Sequence, residues 1–403
     1  VLQGLKAMEI EEKSTKTVEL IKDINFKREA YRKVGEEGAM LYFLISKLFV
    51  VQYMYQYSLD SFNYFFTKAI NNAEKSDNLN IRIVILRETI RVVIYLWVTS
   101  GMFEKDKQLF LTMISLRLIQ KNALSHEDII GIKQAHIDFL LRCPRKLEAP
   151  PRDNQLAFLD EFIWQSMNSL QDLDGFQEFA VKMEKEQSTK FREWFNEINP
   201  EDIALPLDWK KHKKHSFYKI LVLRCCRPDR VSVALNEFFR ICLPRGKEFM
   251  DSKTFPDILS MAFNDSTTEI PIFFILSPGS NPIKELEVLG KKVNPKKKYE
   301  NGKTLHPISM GQKMDEKAEV LLISCSNDGH WLFLQNIHLM PRWLKKLEDK
   351  LKDMSKEKSG SEDFRLYLSA EPRNEIPVGL LEKCIKLTNE PPSGLKENMK
   401  IAF

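Results

Sequence analysis

Ile270-Pro-Ile-Phe-Phe-Ile-Leu276 is a short apolar run bounded by turn residues. Its length, its aromatic and β-branched content and the lack of polar alternation predict a strand buried on both faces of a parallel sheet. Three similar runs follow at 331–334, 364–368 and 384–387, with a weaker one at 306–310. Helical patterns at 282–292, 313–327 and 341–354 lie between them. Strands that alternate with helices predict an α/β region with a five-stranded parallel sheet, centred near Phe274, Ile308, Phe333, Tyr367 and Ile385.

The segment after the first strand reads Ser277-Pro-Gly-Ser-Asn-Pro-Ile-Lys284 and leads into a helix. That is the position of a phosphate loop, strand then G-x-x-x-x-G-K-[ST] then helix. The chemistry differs. Ser277 stands at the first glycine, with Gly279 and Ser280 inside the loop, and Pro282 at the second glycine has no N–H to offer a phosphate. Ile283 replaces the lysine, and Lys284 replaces the hydroxyl that would hold magnesium. Sites of this kind also carry acidic residues at the end of the third strand. Here Gln335 and Asn336 occupy those places, amides without the charge that a metal or a general base requires. No catalytic, cofactor-binding or metal residue is therefore expected. The same spacing also fits a generic α/β sheet that never held nucleotide.

Upstream the pattern is helical. Residues 1–32 are charge-dense and lack proline, with a weak stripe of Leu20, Ile21, Ile24 and Ala30, which suits a long exposed helix or hairpin arm. Gly35 and Gly38 are expected to bracket a break, and 39–70 reads as buried helix. Residues 71–80 form a polar loop, and 81–100 is a core helix ended by Gly101. Further helices are predicted at 106–122, 156–170, 176–197 and 216–226, and after Pro228. Pro144, Pro150 and Pro151 mark a boundary at 143–152.

The 403 residues call for two or three domains. With 61 basic against 56 acidic residues, the net charge of +5 leaves no nucleic-acid footprint. The basic runs 210–214 and 291–298 are short enough to be solvated surface. Cys143, Cys225, Cys226, Cys242, Cys325 and Cys384 include no C-x-x-C pair, and the neighbours Cys225 and Cys226 are poorly placed to bridge each other. Reduced thiols in an intracellular protein are expected. His212 and His215 sit among lysines, which repel a metal cation. No signal peptide is visible, and the apolar stretch 41–54 is too short and too polar to span a membrane. A start at Val1 and an end inside an apparent helix at Phe403 suggest a piece of something longer.

Several stretches, in order, resemble dynein heavy chains: Ile275-Leu-Ser-Pro-Gly279, Gly329-His-Trp-Leu-Phe-Leu-Gln-Asn-Ile-His-Leu339, Phe364-Arg-Leu-Tyr-Leu-Ser-Ala-Glu-Pro372 and Ile385-Lys-Leu-Thr-Asn-Glu-Pro-Pro392. Upstream, Leu41-Tyr-Phe43, Met54-Tyr-Gln-Tyr-Ser-Leu59, Gly101-Met-Phe-Glu-Lys-Asp-Lys107 and Cys226-Arg-Pro-Asp-Arg230 fit as well. The resemblance implies a ring of AAA+ modules, of which this chain would hold the end of the fifth and the large part of the sixth. It divides the chain into 1–75, a buttress-like helical hairpin with the start of the small subdomain; 76–143, the rest of that subdomain; and 144–403, the sixth module's large subdomain, with a helical lead-in at 152–268 and an α/β core at 269–403. It further implies a structural, non-hydrolytic part of a minus-end-directed microtubule motor of cilia or flagella. ATP and magnesium would sit in other modules. The partners would be those modules, the coiled-coil stalk, microtubules through a stalk tip outside this chain, and dynein intermediate and light chains, with neither nucleic acid nor membrane. The wording around Ser277 and Gln335 resembles axonemal dyneins. A divergent active AAA+ NTPase and a non-motor helical scaffold are the alternatives.

Overall fold

The computed structural model describes residues 2–390 and 399, leaving aside 125, 127–128, 130, 152–155, 186–187, 207–215, 252, 301 and 358–359; at 2–16, 19 and 357 it describes the backbone alone. The basic run 210–214, with His212 and His215, lies outside the described residues. Contacts group the chain into two compact units, residues 1–103 with 252–403, and residues 104–251. The proline-marked stretch 143–152 lies within the second unit rather than at its border.

Helix α1 (Leu2–Ile45) runs without interruption for 44 residues, or about 66 Å at 1.5 Å per residue. Every described side chain from Thr17 to Lys33 is exposed or half-exposed. From Val34 onward one face turns inward through Glu37, Gly38, Leu41 and Ile45, the i, i+3, i+4, i+7 spacing of a packed helix. The break expected at Gly35 and Gly38 is absent: Gly38 instead lets a ring approach, since a Cβ there would lie 2.6 Å from Cε2 of Phe66. Among the described residues the arm is this one helix.

The helix expected over 39–70 is two pieces. α1 stops at Ile45, and α2 (Leu59–Asn72) begins at Ser58, whose hydroxyl accepts from the Ser61 amide at 3.1 Å. Such an N-cap satisfies one of the donors that a helix start leaves open. The irregular stretch between them is held by tyrosines. Tyr57 donates to the Val98 carbonyl at 3.1 Å, and the Tyr55 hydroxyl accepts from the Phe103 amide at 3.0 Å. α3 (Leu79–Ser100), capped by Asn78, is the buried helix that the sequence predicts. Its Arg87 and Arg91 reach Glu37 of α1: Arg87 Nε lies 2.8 Å and Arg91 Nη2 3.0 Å from Oε2, and Arg91 Nε bonds Oε1. Glu37 and Arg91 are both buried.

The second unit holds α4 (Glu104–Gln120), α5 (Gln134–Arg142), α6 (Glu161–Leu170), α7 (Phe179–Lys185), α8 (Ser188–Asn196), α9 (Phe217–Cys226), α10 (Val231–Cys242) and α11 (Gly246–Met250). Of the helix expected at 176–197, α7 and α8 cover the larger part, and residues 186–187 between them lie outside the described residues. α9 is the hub, buried at every position but Arg224. Its Lys219 is sheltered with its charge satisfied, Nζ donating to the carbonyl of Glu201 at 2.6 Å and to that of Ile203.

Back in the first unit, α12 (Phe255–Asp265) precedes β1 (Ile272–Leu276), α13 (Ile283–Val293), β2 (Leu305–Ser309), α14 (Asp315–Asp328), β3 (Trp331–Gln335), α15 (Pro341–Glu357), β4 (Arg365–Ala370), α16 (Val378–Lys383) and β5 (Ile385–Asn389). The five strands form one parallel sheet in the order β2-β3-β4-β1-β5. Pro307, which cannot donate to a ladder, falls on the edge strand β2. Phe274, Phe333, Tyr367 and Leu387 share one core with Leu286 and Leu289 of α13 and Leu259 of α12. The alternate residues Phe273, Leu332, Leu334, Leu366 and Leu368 are buried as well, so both faces are covered.

The far edge, β5, is closed by the end of α3. Thr388 Oγ1 donates to the Met102 carbonyl at 2.8 Å, and a Cβ on Gly101 would meet that of Lys386 at 2.6 Å. Lys386 is buried in this joint, with Nζ 4.2 Å from the centre of the Tyr57 ring and 3.4 Å from the Cys384 carbonyl. Burial pushes its pKa down to about 8 from an unfolded value of 10.5. Between those values the unfolded chain holds a proton that the folded chain has shed, so stability rises with pH across that window. Below it the buried charge costs about 3 kcal/mol, partly offset by the ring and the carbonyl. Lys386→Met is accordingly expected to stabilise the chain by about 1–2 kcal/mol at pH 7. The gain should shrink as pH climbs from 8 towards 10.5, read from urea melts of both forms. An advantage independent of pH would show that the amine is not the cause.

Candidate functional site

The turn from β1 into α13 occupies the phosphate-loop position, and three of its amides are bonded within the protein. The Ser277 amide donates to the Asn389 carbonyl of β5 at 3.2 Å, and Ser280 closes a turn onto Ser277 at 3.1 Å. Gly279 takes φ +84° within that turn, a conformation that side chains rarely adopt. The Ile283 amide donates to Asn281 Oδ1 at 3.2 Å. Pro282 caps α13 with no amide hydrogen, and its carbonyl takes the Leu286 amide at 3.0 Å. Ile283 packs against the sheet core, as an apolar residue at a lysine position must, while Lys284 is exposed.

Gln335 and Asn336 stand at the same carboxyl edge of the sheet, because every pairing is parallel. β4 alone separates β1 from β3, which sets the two features about 10 Å apart at normal strand spacing. Ligands of open α/β sheets settle at this edge. The Gln335 carbonyl accepts from the Met310 amide at 2.8 Å. Asn336 turns the chain at φ +55°, and its amide donates to Ser369 Oγ at 3.3 Å. Asparagine tolerates that left-handed turn better than most residues, which gives this position a structural use.

Ser369, His338 and Glu371 complete the edge, and single-sequence reading missed all three. Ser369 is fully buried at the end of β4, and His338 Nδ1 accepts from the Glu371 amide at 3.3 Å. Burial lowers the His338 pKa, so the imidazole is neutral at pH 7. A serine inside an apolar strand and a histidine two residues after Asn336 carry no sequence signal; pairing of β3 with β4 is what brings Ser369 and Glu371 beside Asn336 and His338. Among the described residues no group of three or more His, Cys, Asp or Glu side chains could hold a metal ion, and no helix is long and apolar enough to cross a membrane.

Residues 267–388, the span of the sheet, match the family model described as dynein heavy chain region D6 P-loop domain. Across 98% of its length the chain is 34% identical to human dynein axonemal heavy chain 17. It is 33% identical over 94% of its length to the ciliary dynein beta chain of Heliocidaris crassispina. The flagellar outer arm dynein beta chain of Chlamydomonas reinhardtii matches over 100% of the chain, again at 33% identity. The chain belongs to the dynein heavy chain family. It spans only 8–9% of the length of these relatives. Within this dynein sequence the family model coincides with β1 to β5, so the phosphate loop and its altered residues fall inside the region that the family describes as a P-loop domain.

Proposed function

We propose that this chain is a structural and force-transmitting part of an ATP-driven, minus-end-directed microtubule motor that drives ciliary or flagellar beating. It comprises the end of the fifth AAA+ module and the large part of the sixth, and it does not hydrolyse nucleotide. ATP and magnesium are used by other modules of the parent chain. The partners are those modules, the coiled-coil stalk, microtubules through the stalk tip, and the intermediate and light chains, in the axoneme. α1 is the arm that couples ring motion to the stalk, a rigid element biased by a distant ligand.

The observation that carries this reading is the loop itself. The amides of Ser277, Ser280 and Ile283 are bonded within the protein, and Pro282 has none. A triphosphate would lose its water shell with no lysine, no acidic metal ligands and few donors in return. Titration of the chain with a fluorescent ATP analogue and magnesium is expected to show no saturable binding. Ile283→Lys alone should not restore it, because Pro282, Gln335 and Asn336 remain. One-to-one micromolar binding would overturn the passive role and favour a divergent NTPase.

A further inference from the structure

The net charge of the chain is matched by one short stretch. Residues 291–303 hold six lysines against one glutamate, an excess of five positive charges that equals the net charge of all 403 residues. The stretch has a fixed shape between the last turn of α13 and the start of β2. Asn294 makes the first bend: its carbonyl accepts from the Lys297 amide at 3.1 Å and its Oδ1 from the Lys296 amide at 3.2 Å. A second turn follows, where the Glu300 carbonyl accepts from the Lys303 amide at 3.0 Å. Between the two, Tyr299 is buried in the sheet core. Its ring centre lies 4.4 Å from that of Trp331, and the ring fills the space that a side chain at Gly290 would need. The lysines on either side of this anchor stay outside: Lys291, Lys292, Lys296, Lys298 and Lys303 are exposed. Lys303 pairs with Glu300, and the half-exposed Lys297 with Asp363. The other four meet no carboxylate among the described residues.

Helix chemistry accounts for two of the four. Lys291 and Lys292 sit in the last turn of α13, where a cation offsets the open carbonyls. Lys296 and Lys298 belong to no helix and have no such use. Crowded charges of one sign repel one another and work against the fold, and an anion from outside relieves that repulsion. The side chains say which kind of anion. No arginine is present in 291–303 to grip a phosphate with two parallel bonds. The one aromatic ring is buried, so no nucleic-acid base can stack on it. The apolar face of α13, Leu286 and Leu289, is turned to the sheet core and offers nothing to a bilayer. What is left is a set of hydrated point charges on a stiffened loop, which suits flexible carboxylates. We propose that the lysines of 291–303 form a docking surface for an acidic, glutamate-rich segment of a partner protein, held by charge and not by a fitted pocket.

The test uses the intact heavy chain and a labelled glutamate dodecapeptide, with zero-length carbodiimide coupling and mass spectrometry to mark the lysines that the peptide touches. Cross-links are expected at Lys296 and Lys298 above all, then at Lys291 and Lys292. They should fade as salt is raised, because exposed charges are screened over a Debye length of about 8–10 Å. Changing Lys291, Lys292, Lys296 and Lys298 together to Gln should weaken peptide binding about tenfold without lowering the melting temperature. The same change at the exposed Lys22, Lys33, Lys317 and Lys345 should leave binding within about twofold. No binding of the peptide at low salt would overturn the proposal. So would cross-links spread evenly over the exposed lysines, or an equal loss in the two quadruple variants. Tighter binding of an oligothymidine or of phosphatidylserine vesicles than of the peptide would assign the surface to another partner and overturn it as well.

Discussion

Replacing Phe333 by Ala is expected to destabilise the chain by about 3–5 kcal/mol, the range for a core aromatic truncated without repacking. Phe333 is the middle residue of β3 and is fully buried. Its ring meets Phe274 of β1 almost edge-on, with centroids 5.8 Å apart, and Tyr367 of β4 stands opposite in register. Tyr367 in turn stacks on Phe274 and touches Trp331. Removing Phe333 therefore opens a cavity between strands whose backbones are fixed by ladders on both sides and cannot collapse into it. A fall in melting temperature of about 10 °C is the expected reading. Phe43→Ala supplies the contrast: that ring is 64% exposed on α1, and its loss should change stability by no more than about 0.5 kcal/mol. Equal effects at the two sites would place Phe333 outside the core.

The difference between those two phenylalanines also explains what could be read from the sequence. A parallel strand is buried on both faces, so it writes a continuous apolar run, and all five runs became strands. The place of the loop between β1 and α13 was legible because a loop of fixed length joins one strand to one helix. Long-range packing was not legible. Gly35 and Gly38 look like breakers in isolation, yet α1 passes through them, and at Gly38 the Phe66 ring takes the space a side chain would fill. The gap between α1 and α2 is apolar enough to pass for helix; its tyrosines are held instead by partners about 40 residues away in the chain. Lys386 reads as a charge that ought to face water, and only the approach of Tyr57 and Gly101 buries it. The edge beside Asn336 depends in the same way on pairing between strands, which spacing along one chain does not encode.

Glu37→Gln should cost about as much as the core aromatic, for an electrostatic reason. Glu37 is one of many acids in a charge-rich helix, but it is 5% exposed and faces two arginines of α3, of which Arg91 is equally buried. Burial alone would raise its pKa; the hydrogen bonds and charges of Arg91 and Arg87 outweigh that and hold it below the ordinary value. The pair's contribution is therefore present above the unfolded glutamate value of about 4.3 and is lost as pH falls through the lower folded value. Glutamine keeps the shape and removes the charge, leaving Arg91 buried without an anion, a loss of about 3–5 kcal/mol. Arg87 is more accessible and can turn to water. The double variant Glu37→Met with Arg91→Met should recover most of the loss, since a well-packed apolar pair is often as stable as the ion pair it replaces. Urea melts at pH 7 check both, and hydrogen exchange along α1 shows where the loss falls. Exposed positions near Phe26 should keep their natural exchange in the glutamine variant while Val34 to Ile45 exchange faster, because the ion pair fastens only the base of the helix to α3. If a force on the arm is to reach the sheet, it passes through this base, since the other end of α3 is the one that closes β5 through Met102 and Thr388. Unchanged exchange at Leu41 in the glutamine variant would show that apolar packing alone holds the joint.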